Sequence, residues 1–214
     1  MSKYFHKIIK IVIIVGLPFL ASCGKLKYFN GRIEYKYSYE SATLNEDSLA
    51  KLKPYKSEFR YDNDNYQSRF FAQDTTTYYY SGKLGKCISQ INSINKFECE
   101  DYSVSTDTIL SYKEYETNEK ILGQKCKIIE WQGKYFYNIL YVSTDMQIAP
   151  TTYKNHVAYN WKFYGEKSKG GLILKSEHSF KNYKMKGIAV SMKEEKNDFT
   201  SLDIDPTYFE LNCK

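Results

Sequence analysis

Two histidines and five cysteines are the side chains of this sequence with the chemistry to do more than pack. His156 and His178 are those two, since His6 lies in an apolar leader. Neither sits in an HExxH, GxSxG or glycine-rich phosphate-loop pattern. Glu177 and His178 are adjacent, so a strand would point them to opposite faces, where they cannot form a dyad. No pair of cysteines has the C-x₂₋₄-C spacing of a zinc site. Asp62, Asp64 and Glu119 fall in turn-like stretches, where solvated loops account for them better than calcium ligation. The expectation is of a protein that is not an enzyme, with no catalytic residue, metal or cofactor.

The first cysteine has a different setting. Lys3, Lys7 and Lys10 precede an unbroken apolar run from Ile11 to Ala21. That run is shorter than the roughly 20 residues a membrane span needs, and it suits the roughly 7–15 of a signal peptide. It closes on Leu20-Ala21-Ser22-Cys23, followed by Gly24. The four residues resemble the lipobox of bacterial lipoproteins, in which the cysteine is acylated, typically with palmitate, and becomes the first mature residue. The sequence reading is therefore a signal peptide over 1–22, a lipidated tether over 23–30 and a domain over 31–214. Gly24 is not the aspartate associated with inner-membrane retention. Lys25-Leu26-Lys27 lacks the acidic run associated with surface display. The expected location is the periplasmic face of the outer membrane, with the membrane as partner through the N-terminal acyl anchor.

Export also suits disulfides. With Cys23 acylated, Cys87, Cys99, Cys126 and Cys213 remain, and three pairings can be drawn. A hairpin turning at Asn92–Ile94 would set Cys87 opposite Cys99 within bridging range, which favours that bond and leaves Cys126 with Cys213.

Composition narrows the rest. The net charge of +6 on 214 residues falls to +3 once the three leader lysines are removed, and no basic stripe is concentrated anywhere. Nucleic acid is set aside as a partner. Aromatics make up 17% of the chain, with 22 tyrosines and only four prolines, and tyrosine favours strands. Ile33, Tyr35, Tyr37 and Tyr39 alternate with Arg32, Glu34, Lys36 and Ser38, a period of two. Ten further stretches read as strands: 55–61, 66–72, 75–80, 86–91, 96–101, 109–116, 125–131, 135–143, 172–180 and 183–195. Gln132-Gly133 marks a hairpin turn. Asn45 followed by Glu46-Asp47 reads as the cap and acidic first turn of a short helix ending before Pro54. Tyr153–Phe163 reads as a second. The fold class is mainly β: one antiparallel sheet of about eleven strands, strongly curved, with two short helices.

One face of such a sheet is normally packed. Here its inward candidates are largely aromatic: Tyr35, Tyr37, Phe59, Tyr61, Tyr78, Tyr80, Tyr137 and Tyr141, with Tyr39 and Tyr66 beside them. A buried phenol needs a hydrogen-bond partner, so these residues suit the wall of a concave site whose hydroxyl tips reach water or a polar ligand group.

The order of motifs resembles a family. Phe29-Asn30-Gly31-Arg32-Ile33-Glu34-Tyr35, Lys120-Ile121-Leu122-Gly123-Gln124-Lys125-Cys126, Tyr141-Val142-Ser143-Thr144-Asp145-Met146-Gln147-Ile148-Ala149-Pro150 and Gly170-Gly171-Leu172-Ile173-Leu174 follow one another as in GLPGLI-type exported proteins of Gram-negative bacteria. Lys169-Gly170-Gly171 stands where the namesake leucine-proline-glycine would be. Those proteins are similar to the half-barrel carriers that move lipoproteins to the outer membrane. The resemblance implies an open half-barrel with small helices at its mouth and a concave side able to hold acyl chains or an acylated protein. It implies no catalytic residues. The competing expectation is a structural or protein-interaction lipoprotein whose sheet is packed solid.

Overall fold

The computed structural model describes residues 28–91, 96–196 and Cys213. The leader, Cys23 and the turn at Asn92–Ile94 lie outside the described residues. Eleven strands follow in chain order: β1 (Gly31–Glu40), β2 (Lys56–Asp62), β3 (Asn65–Phe71), β4 (Thr75–Ser81), β5 (Lys86–Ile91), β6 (Lys96–Asp101), β7 (Ile109–Ile121), β8 (Gln124–Gly133), β9 (Tyr137–Gln147), β10 (Gly171–Ser179) and β11 (Lys184–Glu194). Two helices accompany them, α1 (Glu46–Leu52) and α2 (Trp161–Ser168).

The strands form one antiparallel sheet in the order β6-β5-β4-β3-β2-β1-β11-β10-β9-β8-β7. Two meanders, β1 to β6 and β7 to β11, are thus joined along the β1–β11 seam, and β6 and β7 become the two edges. Residues 102–108 alone connect those edges. Fully extended, Asp101 to Ile109 reaches about 28 Å. A flat eleven-stranded sheet would be about 48 Å across. The sheet must therefore bend until its edges approach, without pairing, and an open half-barrel results. Irregularities in β-pairing assist the bend, one at Glu34/Tyr35 on the seam and others in the pairings of β9 with β10 and β7 with β8.

Alternation then divides the side chains. Gln67, Tyr79, Ile88 and Cys99 share the convex face, while Tyr61, Tyr66, Tyr80 and Cys87 form a cross-strand row inside. Tyr66 and Tyr80 stack with centroids 5.0 Å apart, and Tyr61 and Tyr66 lie at 6.0 Å. Phe29, just ahead of β1, is buried against Tyr61.

The segment between β9 and β10 plugs one end of the trough. Tyr153, His156, Ala158 and Tyr164 are buried there. Val157 and Ala158 donate backbone N–H groups to the Tyr102 carbonyl at 2.7 and 3.0 Å, tying the plug to the edge connection. The second helix starts later than the expected Tyr153–Phe163, because Tyr159 and Asn160 adopt left-handed conformations (φ 55° and 64°) that end a 3₁₀ turn before α2 begins. Gly170 ends the plug at φ +77°, where a Cβ would stand 2.6 Å from the Ile148 carbonyl oxygen. Glycine satisfies both demands. At the other end of the trough, Asn45 caps α1 by accepting from the Ser48 N–H at 3.0 Å.

The cysteine pairing expected from the sequence is overturned. The β5–β6 register sets Ile88, not Cys87, opposite Cys99, and Cys87 faces Glu100. One residue of register exchanges the two faces of a strand. Cys99 therefore lies outside, bonded to Cys213 with a Cα separation of 5.4 Å, in a small cluster with Tyr79, Ile88 and Phe97. Cys87 and Cys126 are buried thiols. Non-reducing peptide mapping should link Cys99 to Cys213 and find Cys87 and Cys126 reduced. A Cys87–Cys99 peptide would contradict the register. The bond closes a separation of 114 residues, so Cys99→Ser should lower stability by up to roughly 4–5 kcal/mol in the loop-entropy model.

Candidate functional site

The plug fills only part of the trough. Beside it, on the concave face, a cavity of about 480 Å³ remains, open on one side. This volume falls within the roughly 300–1,000 Å³ typical of small-molecule sites. Its walls come from both meanders. Tyr35 and Tyr37 of β1, Phe59 and Tyr61 of β2, Phe70 of β3 and Tyr78 of β4 form one side. Trp131, Leu140, Ile173 and Met185 form the other, with Tyr159, Trp161 and Tyr164 of the plug at one end. Phe136 and Phe180 stand in edge-to-face contact, with centroids 5.6 Å apart, at its rim.

Of the aromatic residues singled out in the sequence, Tyr35, Tyr37, Phe59, Tyr61 and Tyr78 line this space. Tyr80 does not, being part of the dry stack at the plugged end. Tyr137 and Tyr141 do not either. Their neighbours Asn138 and Leu140 face the cavity, so alternation along β9 turns both tyrosines to the convex side. Tyr141 there lies under the Lys175 ammonium, 4.1 Å from the ring centroid.

The hydroxyl tips expected to reach water or ligand are instead used within the wall. Tyr35 donates to the Ile173 carbonyl at 2.7 Å, bridging the two meanders. Tyr37 pairs with the Ser57 hydroxyl at 2.6 Å, and Tyr61 with the Tyr153 hydroxyl at 3.3 Å. Burial pushes the Tyr37 and Tyr61 phenols up to about 12, so both remain protonated. At these three residues the cavity consequently meets ring carbons rather than phenol oxygens. Gly187 makes room for this arrangement, since a Cβ there would stand 2.8 Å from the Tyr37 ring and 2.9 Å from Ser176 Oγ.

Beside the tyrosine hydroxyls and indole N–H groups of its aromatic residues, the polar side chains of the lining are Asn138, Asn160, Ser176 and His178. Asn138 and His178 are cross-strand partners on β9 and β10, with His178 Nδ1 2.7 Å from Asn138 Oδ1. An amide oxygen only accepts, so Nδ1 carries the proton and Nε2 is left as an acceptor. Burial lowers His178 to about 4, keeping it neutral. The sequence reading did not single out Asn138 or Ser176, and it weighed His178 only as a catalytic group. The parity that places Asn138 and Leu140 inside also places Tyr137 and Tyr141 outside, and a strand's hydrophobic alternation could have flagged it.

His156 occupies another environment. It is fully buried and stacked between Tyr80 and Tyr102, with centroids 4.6 and 4.5 Å away. Its Nδ1 lies 3.3 Å from the Tyr66 hydroxyl. Among the described residues its Nε2 has no partner, and neither does the Tyr80 hydroxyl. Burial pushes the nearby Cys87 thiol up to about 12, unsuited to nucleophilic chemistry. Among the described residues no three His, Cys, Asp or Glu side chains converge as a metal site would require.

No family model matches the chain, and no curated protein does. Among solved structures the chain is similar to two titled as PNGF-II, in P21 and C2 space groups. The first aligns with a TM-score of 0.47 at 14% identity, over 87% of this chain and 34% of that one. The second gives 0.33 at 14% identity, over 80% and 29%. The chain therefore spans about a third of the length of these structures, and a likeness this distant identifies no ligand or activity.

Burial lowers His156 to about 3, against roughly 6.5 for an unperturbed imidazole. The unfolded chain therefore takes up this proton first as pH falls. The stability held above about pH 6.5 should decline below it, by up to about 1.4 kcal/mol per pH unit from this group. Denaturant unfolding at pH 7, 6 and 5 should show a shallower decline for His156→Gln than for the native chain. Equal slopes would contradict this assignment.

Proposed function

We propose that the chain is exported, processed before Cys23 and fastened by acyl chains to the periplasmic face of the outer membrane. Its concave face there holds a hydrophobic ligand or the acyl part of a partner. The observation that carries the ligand half is the unfilled, aromatic-walled cavity of about 480 Å³. With the Tyr35, Tyr37, Tyr61 and Tyr164 phenols bonded inside the wall, water in this space gains few hydrogen bonds there, and an aliphatic chain replacing it loses few. Each methylene transferred out of water gains roughly 0.8 kcal/mol. The alternative, a solidly packed sheet working through exposed aromatics, has less support because the trough is incompletely filled.

The anchor half rests on the leader and the Leu20-Ala21-Ser22-Cys23 box, together with the motif resemblance to GLPGLI-type exported proteins. Two acyl chains make attachment lasting where one is marginal.

Two measurements test the halves separately. Cys23→Ala should move the protein from the membrane fraction to the soluble periplasmic fraction, and continued pelleting would mean that another anchor exists. The purified full-length protein should brighten N-phenyl-1-naphthylamine. Met185→Arg, which sets a charge in the cavity wall, should weaken that binding at least fivefold without loss of the cooperative melt. Equal brightening by both proteins would place the dye elsewhere and contradict the cavity reading.

A further inference from the structure

The cavity is apolar over most of its wall but not over all of it, and apart from Asn160 on the plug, whose amide faces Asp107, its non-aromatic polar side chains are concentrated. Asn138 on β9 and Ser176 and His178 on β10 occupy neighbouring positions: His178 opposes Asn138, and Ser176 opposes Leu140. Once Nδ1 of His178 donates to Asn138 Oδ1 at 2.7 Å, the cluster has a definite hydrogen-bonding capacity. His178 Nε2 accepts, Asn138 Nδ2 donates, and the Ser176 hydroxyl can do either. Among the described residues, none of these three atoms has a hydrogen-bond partner within the protein. The groups are on strands, held by ladder pairing on both sides, so their spacing is fixed before any ligand arrives.

The charge of the lining is as informative as its polarity. Among the described residues no Lys, Arg, Asp or Glu side chain lines the cavity. An ionised carboxylate or phosphate taken into such a space would lose its hydration with no cation to replace it, a transfer that is strongly unfavourable. Beyond the wall, the charges that bear on Tyr78 are negative. Burial, then the neighbouring Cys87 thiol and the Glu100 carboxylate, raise the Tyr78 phenol, and Glu98 adds in the same sense. An ammonium head group fares little better inside, since the lining offers it no counter-charge. A hydroxyl or a primary or secondary amide is neutral, donates at least one proton and accepts another. It matches what His178, Asn138 and Ser176 present.

From this juxtaposition we propose that the cavity selects an uncharged amphipath, one aliphatic chain against the aromatic wall and a hydroxyl or amide head against His178, Asn138 and Ser176, and discriminates against the corresponding carboxylate. The inference rests on the ligand-binding reading above and narrows it to a chemical class. Free alcohols, monoacylglycerols and the amide end of an acylated amine all share that chemistry.

The protein carries its own reporter. The chain has two tryptophans, and both Trp131 and Trp161 line the cavity. Their fluorescence in the purified full-length protein is to be titrated at pH 7.5 with octane, 1-octanol, octanamide and octanoate. Octanol and octanamide should bind at least tenfold more tightly than octanoate. His178→Leu should weaken octanol at least fivefold and leave octane within twofold, and Ser176→Ala should act in the same direction to a smaller extent. Octanoate binding as tightly as octanol would overturn the selectivity while leaving the cavity a hydrophobic site. His178→Leu weakening octane and octanol equally would overturn the head-group role and mark the residue as structural. Silence of both tryptophans toward all four probes would overturn the ligand-binding reading itself.

Discussion

Seven residues join the two edges of an eleven-stranded sheet, and the architecture follows from how short that connection is. A flat sheet could not be spanned by residues 102–108, so the edges are drawn together and one face becomes the inside of a trough. The connection also anchors the plug. The Tyr102 carbonyl accepts from Val157 and Ala158, and its ring stacks on His156. Curvature and partial filling therefore depend on the same few residues.

The concave face then meets a second constraint. A phenol removed from water must find a partner, or the fold loses on the order of 1–3 kcal/mol. Tyr35, Tyr37 and Tyr61 find theirs in Ile173, Ser57 and Tyr153, inside the protein. Two of these bonds, those of Tyr35 and Tyr61, cross between elements far apart in sequence, and the third ties β1 to β2, so the hydroxyls hold the wall together while the rings face the open space. Tyrosine here serves as an aromatic hydrocarbon carrying its own fastening. Phenylalanine would supply the ring but not the tie, and serine the tie but not the ring. The space that results is apolar on most sides and polar at Asn160 of the plug and where β9 meets β10.

Much of this fold is legible in the chain because it is local. The alternation from Ile33 to Tyr39, the turn residues between strands and the Asn45 cap each specify their element from a few neighbouring side chains, and the strand count follows. What is not legible depends on register between segments. Cys87 and Cys99 were one residue out of opposition, and a single step of pairing separates an inside position from an outside one. The Asn138–His178 pair is of the same kind: forty positions apart, it exists only once β9 and β10 align. Nor does composition tell where a tyrosine hydroxyl will go. It suggests an aromatic-faced sheet, while the fate of each hydroxyl is decided by long-range contacts such as Tyr35 with Ile173. The second helix was displaced for a related reason, since Tyr159 and Asn160 take left-handed conformations that the plug, and not the local sequence pattern, imposes.

The central claim is that the unfilled half of the trough is a binding site for an apolar chain and not an incidental gap in packing. Native mass spectrometry of the full-length protein, released gently from envelopes of its own host, addresses this directly. The expected spectrum shows, beyond the covalently lipidated mass, a non-covalent adduct of lipid size that is lost on collisional activation and diminished in Met185→Arg. A spectrum containing only the lipidated chain, under conditions that preserve a known lipid carrier's cargo, would contradict the claim.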